Sequence, residues 1–487
     1  MSSQSEVIIG LEIHIQLTNL RTKLFCNCSN DYRDAPPNSN VCPVCLGLPG
    51  SLPVINEKAI EFATRLAHAL ECKINKSMYF FRKNYFYPDL PKGFQVSQYN
   101  RAGGRAFADG GKISIKLNSN ETSYKKEILL NRIHLEEDPG RLVHEGSIAK
   151  STYTLIDYNR SGVCLIEIVT EPMINSPEEA REFLNQLKSI VLYTGISDLT
   201  LEGSVRVDAN ISIKGHKRSE IKNINSFKEV ERALKWEIRR QRNLLKRGRD
   251  VIQETRHWDD KSRITISLRT KEVEKDYRYF PEQDLVPIQL SDNFIKEVGR
   301  ELPEMPSDRI QRFQREYNLS EFDSEILVLD KELADFFESG VKLEESYNPD
   351  DFRQYCNWLK GDISRWLNER NLSIKETKLQ PKQLINLIKY IDEGKITGKI
   401  AKGFIDDIMK GKPMKEIIEK SGKTRIGDSQ KLEMIVRNVI KENPEILQDF
   451  KENPRALEAL IGKCMQKTKG RADPKITREL LLKEIRK

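Results

Sequence analysis

The stretch Leu11-Glu-Ile-His-Ile-Gln-Leu17 alternates aliphatic and polar side chains. Strict alternation predicts a β-strand with one buried face, and it places Glu12, His14 and Gln16 together on the other face. Residues on one face of a strand recur about every 7 Å, so a carboxylate and an imidazole stand side by side. Such a pair can ligate a divalent cation or act as acid and base. From this strand alone, a solvent-facing edge strand is the favoured alternative.

Other segments also place acidic side chains on predicted strands. The run Arg132-Ile-His-Leu-Glu-Glu-Asp138 crowds three carboxylates, which repel one another unless a cation offsets them. Glu167 lies inside an apolar run, where an unpaired charge is costly. Asp208 lies on the polar face of the alternating stretch 205–212. Polar faces on several strands indicate a lined cavity, and oxygen ligands with one histidine favour Mg²⁺ or Mn²⁺ and hence phosphate chemistry.

Four cysteines form two close pairs, Cys26-Asn-Cys28 and Cys42-Pro-Val-Cys45, separated by thirteen residues. Two such pairs joined by a short loop are typical of a closed Cys₄ zinc site. Four protein ligands leave no position for a substrate, so the sequence predicts a structural rather than a catalytic zinc. The chain has eight cysteines, and we expect no disulfide framework, because the composition favours a cytoplasmic protein without a membrane span.

The positive charge is concentrated towards the C-terminus. The chain has 81 Lys and Arg against 73 Asp and Glu, a net charge of +8, of which residues 401–487 carry +7 (21 basic against 14 acidic residues). A near-neutral body with a basic end is typical of a nucleic-acid-binding segment attached to another domain. The alternative is a lysine-rich helical surface that is merely solvated.

The sequence predicts an α+β fold followed by helices. Strand patterns occupy 7–17, 128–135, 204–213 and 263–269, whereas 178–194 and 227–247 are predicted helices. After residue 290 the periodicity becomes helical, and Pro and Gly interrupt the last segment. We therefore expect three domains: 1–292, an α+β domain with a zinc-binding insertion at 26–45; 293–404, an all-α helical domain; and 405–487, a small basic all-α tail domain.

Aromatic and basic residues cluster densely at 79–87 and 276–281. Such mixtures can stack on nucleic-acid bases or on adenine. Aromatic residues that anchor a core beneath basic caps would give the same composition, so this pattern leaves both readings open.

The chain resembles the B subunits of aspartyl/glutamyl-tRNA amidotransferases (GatB) over essentially its whole length. The matching motifs are Ile9-Gly-Leu-Glu-Ile-His14, Pro37-Asn-Ser-Asn40, Arg82-Lys-Asn-Tyr-Phe-Tyr-Pro-Asp89, Gln95-Val-Ser-Gln98, His134-Leu-Glu-Glu-Asp138, Asp157-Tyr-Asn-Arg160, Leu165-Ile-Glu-Ile-Val-Thr-Glu-Pro172, Asp208-Ala-Asn-Ile-Ser212, Gln253-Glu-Thr-Arg256 and Asp276-Tyr-Arg-Tyr-Phe-Pro-Glu282. The related archaeal subunit GatE carries a large insertion domain before its tail, for which 487 residues leave no room.

The resemblance implies a cradle-shaped α+β domain, a helical domain and a tail that contacts tRNA. The implied activity is ATP-dependent phosphorylation of the side-chain carboxylate of Glu on tRNA(Gln), or of Asp on tRNA(Asn), followed by displacement of the phosphate by ammonia. The implied partners are a glutaminase subunit (GatA), which supplies the ammonia through a tunnel, and a small third subunit (GatC), giving a heterotrimer. Which misacylated tRNA is used depends on the synthetases of the cell and stays open.

The resemblance also implies the site residues. Glu12, His14 and one of Glu136 and Glu137 are expected to bind Mg²⁺, with Glu12, His14 and Glu137 as the catalytic residues. Glu167 and Asp208 are further candidate Mg²⁺ ligands because of their polar strand positions. Arg82 and Lys83 are expected to meet the phosphates of ATP or the tRNA end. A second hypothesis is a non-catalytic, zinc-containing scaffold that binds aminoacyl-tRNA.

Overall fold

The computed structural model describes residues 6–118, 123–144, 151–224, 226–270, 277–343, 349–421, 429–452, 456–468, 472 and 474–485. Contacts divide the chain into two compact units, Met1–Pro306 and Ser307–Lys487. All strands of the described residues lie in the first unit, and the second is helical. The predicted sheet-rich N-terminal part and helical C-terminal part are therefore confirmed, while the three-domain division stays a prediction. No helix of the described part is long and apolar enough to cross a membrane.

The strands are β1 (Val7–Gln16), β2 (Lys73–Ile74), β3 (Ser77–Met78), β4 (Phe81–Asn84), β5 (Phe94–Ser97), β6 (Ala108–Asp109), β7 (Lys112–Asn118), β8 (Ser123–Glu137), β9 (Arg141–His144), β10 (Thr154–Asp157), β11 (Cys164–Thr170), β12 (Val205–Ile213), β13 (Ser219–Ile224), β14 (Glu254–Asp259), β15 (Ile264–Thr270), β16 (Phe280–Pro281) and β17 (Ile288–Gln289). Ten of them form one sheet in the order β15-β14-β13-β12-β1-β11-β8-β6-β2, with β7 also paired to β8. The alternating strand predicted at 7–17 is thus a central strand of the main sheet.

The helices of the first unit are α1 (Pro43–Leu46), α2 (Glu57–Ala69), α3 (Pro177–Thr194), α4 (Phe227–Lys246) and α5 (Asp292–Arg300). The predicted start and end of α3 are confirmed: the Ser176 side chain accepts a hydrogen bond from the Glu179 backbone N–H, and Gly195 adopts the left-handed conformation that ends the helix.

The main sheet has one apolar and one polar face. Ile9, Leu11, Ile13 and Ile15 of β1 are at most 1% exposed and join a core that also contains apolar residues of α2, α3 and α4. Strand alternation then points Glu12, His14 and Gln16 to the opposite face. The helices therefore cover the apolar face and leave the polar face of β1 for chemistry.

A three-stranded sheet, β16-β4-β5, lies beside the polar face. Its contact with the main sheet includes a hydrogen bond from Ser97 Oγ on β5 to Glu136 Oε2 on β8. Phe81 pairs with Ser97 and Pro281, and Arg82 pairs with Val96 and Phe280. This small sheet brings the Arg82-Lys83 pair to the region of the Glu12 and His14 strand.

The second unit contains α6 (Pro306–Tyr317), α7 (Glu321–Leu329), α8 (Lys331–Val341), α9 (Pro349–Trp358), a π-helical turn (Leu359–Ile363), α10 (Ser364–Arg370), α11 (Pro381–Asp392), α12 (Gly398–Lys402), α13 (Ile405–Met409), α14 (Met414–Ser421), α15 (Ser429–Glu442), α16 (Pro444–Glu452), α17 (Ala456–Lys467) and α18 (Pro474–Ile485). Helices α15 to α18 share a separate apolar core that includes Val436, Leu460 and Leu481.

Candidate functional site

The register of neighbouring strands brings the polar side chains of β1 against those of β8, β11 and β12. Glu12 is directly opposite Asp208, and His14 is directly opposite Glu167. Glu167 is in turn opposite His134 on β8. Directly opposite residues point to the same face of a sheet, so these acidic and imidazole side chains form one continuous polar row.

His14 is at the centre of a cluster of carboxylates, which we call the His14 cluster: Glu12, His14, Glu136 and Glu167. The Nε2 atom of His14 lies 3.6 Å from Glu12 Oε1, 3.5 Å from Glu136 Oε1 and 3.8 Å from Glu167 Oε2. One ligand atom from each of Glu12, His14 and Glu167 fits within a mutual distance of 4.8 Å. Hard carboxylate oxygens with a single imidazole suit Mg²⁺ or Mn²⁺, so the donor set fits the expected ion.

The carboxylates of the cluster are held by neighbouring groups. Glu167 Oε1 lies 3.2 Å from His134 Nδ1 and 3.3 Å from Arg132 Nη2. His134 Nε2 is hydrogen-bonded at 2.7 Å to Asn100 Oδ1, which fixes the imidazole ring. Glu136 accepts a hydrogen bond of 2.9 Å from Ser97. Side chains that could bind a metal are thus oriented by a second layer of hydrogen bonds.

The environment separates the acidities of two carboxyl groups in the His14 cluster. Burial raises the pKa of Glu12 to about 7, and the nearby Glu167 and Asp208 charges contribute to that rise. Burial also acts on Glu167, but the hydrogen bond and charge of His134, with the charges of His14 and Arg132, hold the pKa of Glu167 well below its usual range. A cation between them would favour the ionised form of both carboxylates.

Asp208 is next to the cluster but is also engaged by a lysine. Its Oδ2 atom lies 3.2 Å from Lys222 Nζ, and Lys222 lies 3.7 Å from Glu220. Its charge reaches Glu12, whose pKa it raises. The structure therefore places Asp208 beside Glu12 as a neighbour and pairs it with Lys222.

Glu137 points away from the His14 cluster, because successive residues of β8 alternate between faces. Both of its carboxylate oxygens lie 2.6 Å from Lys92 Nζ, and Oε1 accepts a hydrogen bond of 2.8 Å from the Val96 backbone. Of the two adjacent candidates, the structure brings Glu136 and not Glu137 to His14.

Asp138 returns to the polar face and is completely buried there. It accepts hydrogen bonds from Arg206 Nη2 at 2.6 Å and from Gln16 Nε2 at 2.8 Å, with Arg160 Nε at 3.7 Å. Despite its burial, the charges of Arg160 and Arg206 lower the pKa of Asp138. Asp138 is therefore an ionised anchor on the same face of the sheet as the cluster.

Arg82 and Lys83 point to opposite faces of β4. Arg82 makes a two-pronged ion pair with Glu282, with both hydrogen bonds at 2.7 Å, and reaches Asp284 at 3.1 Å. Lys83 faces the His14 cluster: burial lowers its pKa, but Tyr279, Glu136, Tyr85 and Glu167 raise it above its usual value. Lys83 is thus a cation held at the cluster, whereas Arg82 is engaged by two carboxylates.

Aromatic rings surround Lys83. Its Nζ atom lies 5.1 Å from the ring centre of Tyr277 and 6.0 Å from that of Tyr85. Tyr99 and Tyr279 stack in parallel with their centres 4.2 Å apart. These rings belong to the two aromatic segments found in the sequence, apart from Tyr99, and Asp276 lies outside the described residues.

Sequence reasoning did not assign His134, Asn100 or Ser97 a role. Of the three, only His134 and Ser97 lie in motifs that the sequence analysis identified.

The four predicted zinc ligands, Cys26, Cys28, Cys42 and Cys45, are brought together. Their sulfur atoms all lie within 4.8 Å of one another, and thiolates around a tetrahedral zinc are about 3.8 Å apart. The Cys45 thiolate is stabilised: the Cys26 thiol, the Lys23 ammonium and the Cys42 backbone outweigh its burial and lower its pKa to about 4. Lys23 itself is fully buried, with Nζ 3.8 Å from Cys45 Sγ. The cluster can hold a metal ion such as zinc.

Comparison with known proteins agrees with this geometry. The family model described as the GatB/GatE catalytic domain matches residues 7–296, and that described as the GatB domain matches residues 335–485. The chain is 47% identical to the B subunit of the aspartyl/glutamyl-tRNA(Asn/Gln) amidotransferase of Thermotoga maritima, over 98% of both chains. It is also 47% identical to the protein of the same name from Sulfolobus acidocaldarius, over 98% of this chain and 99% of that one. The chain therefore belongs to the GatB family of amidotransferase B subunits.

Proposed function

We propose that this chain is the B subunit of a tRNA-dependent amidotransferase, which phosphorylates the side-chain carboxylate of Glu-tRNA(Gln), Asp-tRNA(Asn) or both with ATP and then forms the amide with ammonia. The observation that carries the proposal is the His14 cluster, in which Glu12, Glu136 and Glu167 surround one imidazole. This is a site for a divalent cation and phosphate, and the relatives named above are amidotransferase subunits.

Glu12, His14, Glu136 and Glu167 would hold Mg²⁺, with Asp208 close by. When bound, Mg²⁺ supplies positive charge to phosphate oxygens during phosphoryl transfer. Lys83 is placed to bind a phosphate or carboxylate oxygen of the substrate, because it is the cation that faces the cluster from β4. Arg82, which the sequence analysis paired with Lys83, would instead brace Glu282.

An acyl phosphate and ammonia are both lost to water unless the site is sheltered. The rings of Tyr85, Tyr277 and Tyr279 flank Lys83 and each other, and the ring centre of Tyr277 lies 6.0 Å from those of Tyr85 and Tyr279. These rings would exclude water over the cluster and offer faces on which the adenine of ATP or the terminal adenosine of tRNA can stack.

Ammonia would come from a GatA-type glutaminase subunit, with a small GatC-type subunit completing a heterotrimer. The designation of the relatives as B subunits supports a multi-subunit enzyme. The Cys₄ cluster would bind a structural Zn²⁺, since its four thiols fill a tetrahedral coordination sphere. In this proposal Glu137 forms an ion pair with Lys92 on the opposite face of β8 and would not hold the Mg²⁺.

The C-terminal segment 405–487 would bind tRNA. It carries most of the net positive charge of the chain, and α15 to α18 have their own apolar core, which supports an independent tail. A chain truncated after about residue 405 should therefore bind tRNA more weakly and with a smaller salt dependence, while still binding Mn²⁺ at the His14 cluster. Unchanged tRNA affinity in this truncated chain would refute the assignment.

The test of the function is amidation of Glu-tRNA(Gln) and Asp-tRNA(Asn) by the co-expressed complex, with ATP and either glutamine or ammonium. His14→Ala should abolish amide formation with both nitrogen donors, whereas His144→Ala, which changes an imidazole on β9, should leave it intact. Full activity of His14→Ala would show that the cluster is not the site. A wild-type complex that binds aminoacyl-tRNA but neither binds Mg-ATP nor forms amide would establish the scaffold function instead.

A further inference from the structure

The C-terminal half of α4 and the turn that follows it carry an unusual concentration of positive charge. Residues 238–249 contain six Arg and Lys and no Asp or Glu. Arg239, Lys246, Arg247 and Arg249 are all exposed, and no ion pair within the described part of the chain neutralises them. Arg240 differs, because it is paired with Glu237 and Glu254 and braces the fold.

A neighbouring turn adds two more cations. Lys217 and Arg218 are exposed between β12 and β13. The next residue, Ser219, accepts hydrogen bonds from Arg240 at 3.3 Å and from Gln241 at 3.2 Å, so this turn lies beside α4. The α4 basic surface, as we call this set, consists of the exposed residues Lys217, Arg218, Arg239, Lys246, Arg247 and Arg249.

Stabilisation of the helix alone does not explain this arrangement. Cations in the last turn favour the helix dipole, and this accounts for Lys246 and Arg247. Arg239 lies seven residues earlier, about 10 Å along the axis, where the dipole effect has faded. The buried side of α4 is anchored by apolar residues such as Val230 and Leu234 and needs no surface cations.

A groove runs along this face of α4, and groups that bind phosphate line it. Its lining residues are Trp236, Arg239, Arg240, Asn243, Leu244 and Arg247. The indole N–H of Trp236 is buried and has no acceptor among the described residues. The groove holds about 200 Å³, less than the roughly 300–1,000 Å³ of enclosed small-molecule sites. The groove is therefore too small for a typical enclosed ligand site but large enough for one segment of a polymer chain that runs across it.

We propose that the α4 basic surface binds the sugar-phosphate backbone of the tRNA substrate, an inference that rests on the proposed function. Guanidinium groups bind phosphate in two-pronged geometry, and an aromatic ring among them can stack on a base. α4 packs on the apolar face of the sheet, opposite the His14 cluster, so this anchor is separate from the site of chemistry. It is also separate in sequence from the basic tail.

The test is tRNA binding by the purified complex, measured by fluorescence anisotropy between about 50 and 200 mM KCl. The triple variant Arg239→Gln, Lys246→Gln and Arg247→Gln should flatten the slope of log Kd against log[KCl] by about 2, at about 0.7 per lost phosphate contact. Between the two ends of this salt range, the wild type would therefore lose about 16-fold more affinity than the variant. Glutamine keeps the helix and breaks no ion pair among the described residues, so folding should be preserved.

The matched control is Lys73→Gln, Lys261→Gln and Lys296→Gln, which removes the same charge from exposed positions elsewhere in the first unit. Its slope should stay close to that of the wild type. Equal slopes for the wild type and the α4 variant, or equal losses for both triple variants, would overturn the proposal. Loss of the partner subunits from the α4 variant with unchanged RNA affinity would also overturn it, by showing that an acidic protein binds there.

A second variant, Trp236→Phe, keeps an aromatic ring but removes the N–H donor, and it should weaken tRNA binding several-fold. Trp258→Phe is its control, because the Trp258 N–H is already bonded to Glu229 within the protein. An unchanged Kd for Trp236→Phe would remove the groove from the proposal. If the wild-type complex bound tRNA through α4 but formed no amide, the proposed function would fail and the binding surface would stand.

Discussion

The buried carboxylate of Asp138, the residue after β8, links the end of that strand to β12 on the sheet face that carries the His14 cluster, and Asp138→Asn tests this link. The Asp138 side chain is 0% exposed, Arg206 lies 2.6 Å from it and is 30% exposed, and Arg160 lies 3.7 Å from it and is 17% exposed. Asparagine has the same shape but leaves two guanidinium groups without their counter-charge. Removing one partner of a fully buried pair costs about 3–5 kcal/mol, and the partial exposure of Arg206 places this case near about 3 kcal/mol.

Hydrogen–deuterium exchange reports this loss locally, which matters in a chain with two compact units. A loss of about 3 kcal/mol in the opening free energy should speed exchange of the β8 and β12 amides on the order of 100-fold. Asp31→Asn is the control, because Asp31 is 77% exposed and lies 3.9 Å from its arginine. Exchange in β8 and β12 that stays within about threefold of the wild type would refute the reasoning.

The pH dependence of the same group follows from its lowered pKa. A carboxyl group whose pKa is lower in the folded state stabilises the fold fully above its unfolded pKa of about 4. This contribution is lost as the pH falls through the folded pKa. Acid unfolding of the wild type below about pH 4 should therefore be steeper than that of Asp138→Asn.

Three further outcomes are expected. Glu136→Gln should weaken Mn²⁺ binding, seen by electron paramagnetic resonance, at least about tenfold, whereas Glu137→Gln should leave it unchanged, because only Glu136 reaches His14. Cys45→Ser should lower the zinc content of the purified protein from about one ion per chain towards zero by mass spectrometry, and a wild-type chain without zinc would contradict the Cys₄ assignment. Without metal, the wild type should lose thermal stability relative to Glu12→Gln as the pH rises from about 5 to about 8, because the buried Glu12, with a pKa of about 7, must ionise. Added Mg²⁺ should remove that difference, and a pH-independent difference would show that Glu12 is already ionised.

Local patterns were sufficient to predict the elements that position the site. The alternation of 7–17 predicted β1 because one face of the strand is fully buried, and the structure confirms β1 at Val7–Gln16. Ser176 and Gly195 predicted the ends of α3 because capping is a local interaction. The spacing of the four cysteines predicted their convergence, which the structure also shows.

The side chains that support the cluster could not be predicted, because strand register decides them. Glu136 and Glu137 are chemically identical neighbours, and only the pairing of β8 with β11 determines which one faces His14. Arg82 and Lys83 differ in the same way across β4. Asn100 and Ser97 lie far in sequence from the residues they hold, so no local pattern connects them.

The separation of neighbouring charges also determines what the site can bind. Around His14, the carboxylates of Glu12, Glu136, Glu167 and Asp208 face the cations of Lys83, Lys222 and Arg132. This leaves one negative charge when Glu12 is ionised and the imidazoles are neutral, and none while Glu12 keeps its proton. Had Arg82 and Glu137 faced the same way, each would have added its charge to the cluster, but Glu282 and Lys92 neutralise them on the opposite faces of their strands. The residual negative charge attracts a divalent cation, and with that cation in place the sign reverses. Under the proposed function, the metal would therefore bind as Glu12 ionises, and the loaded site, now positive, would attract the anionic phosphate that phosphoryl transfer needs.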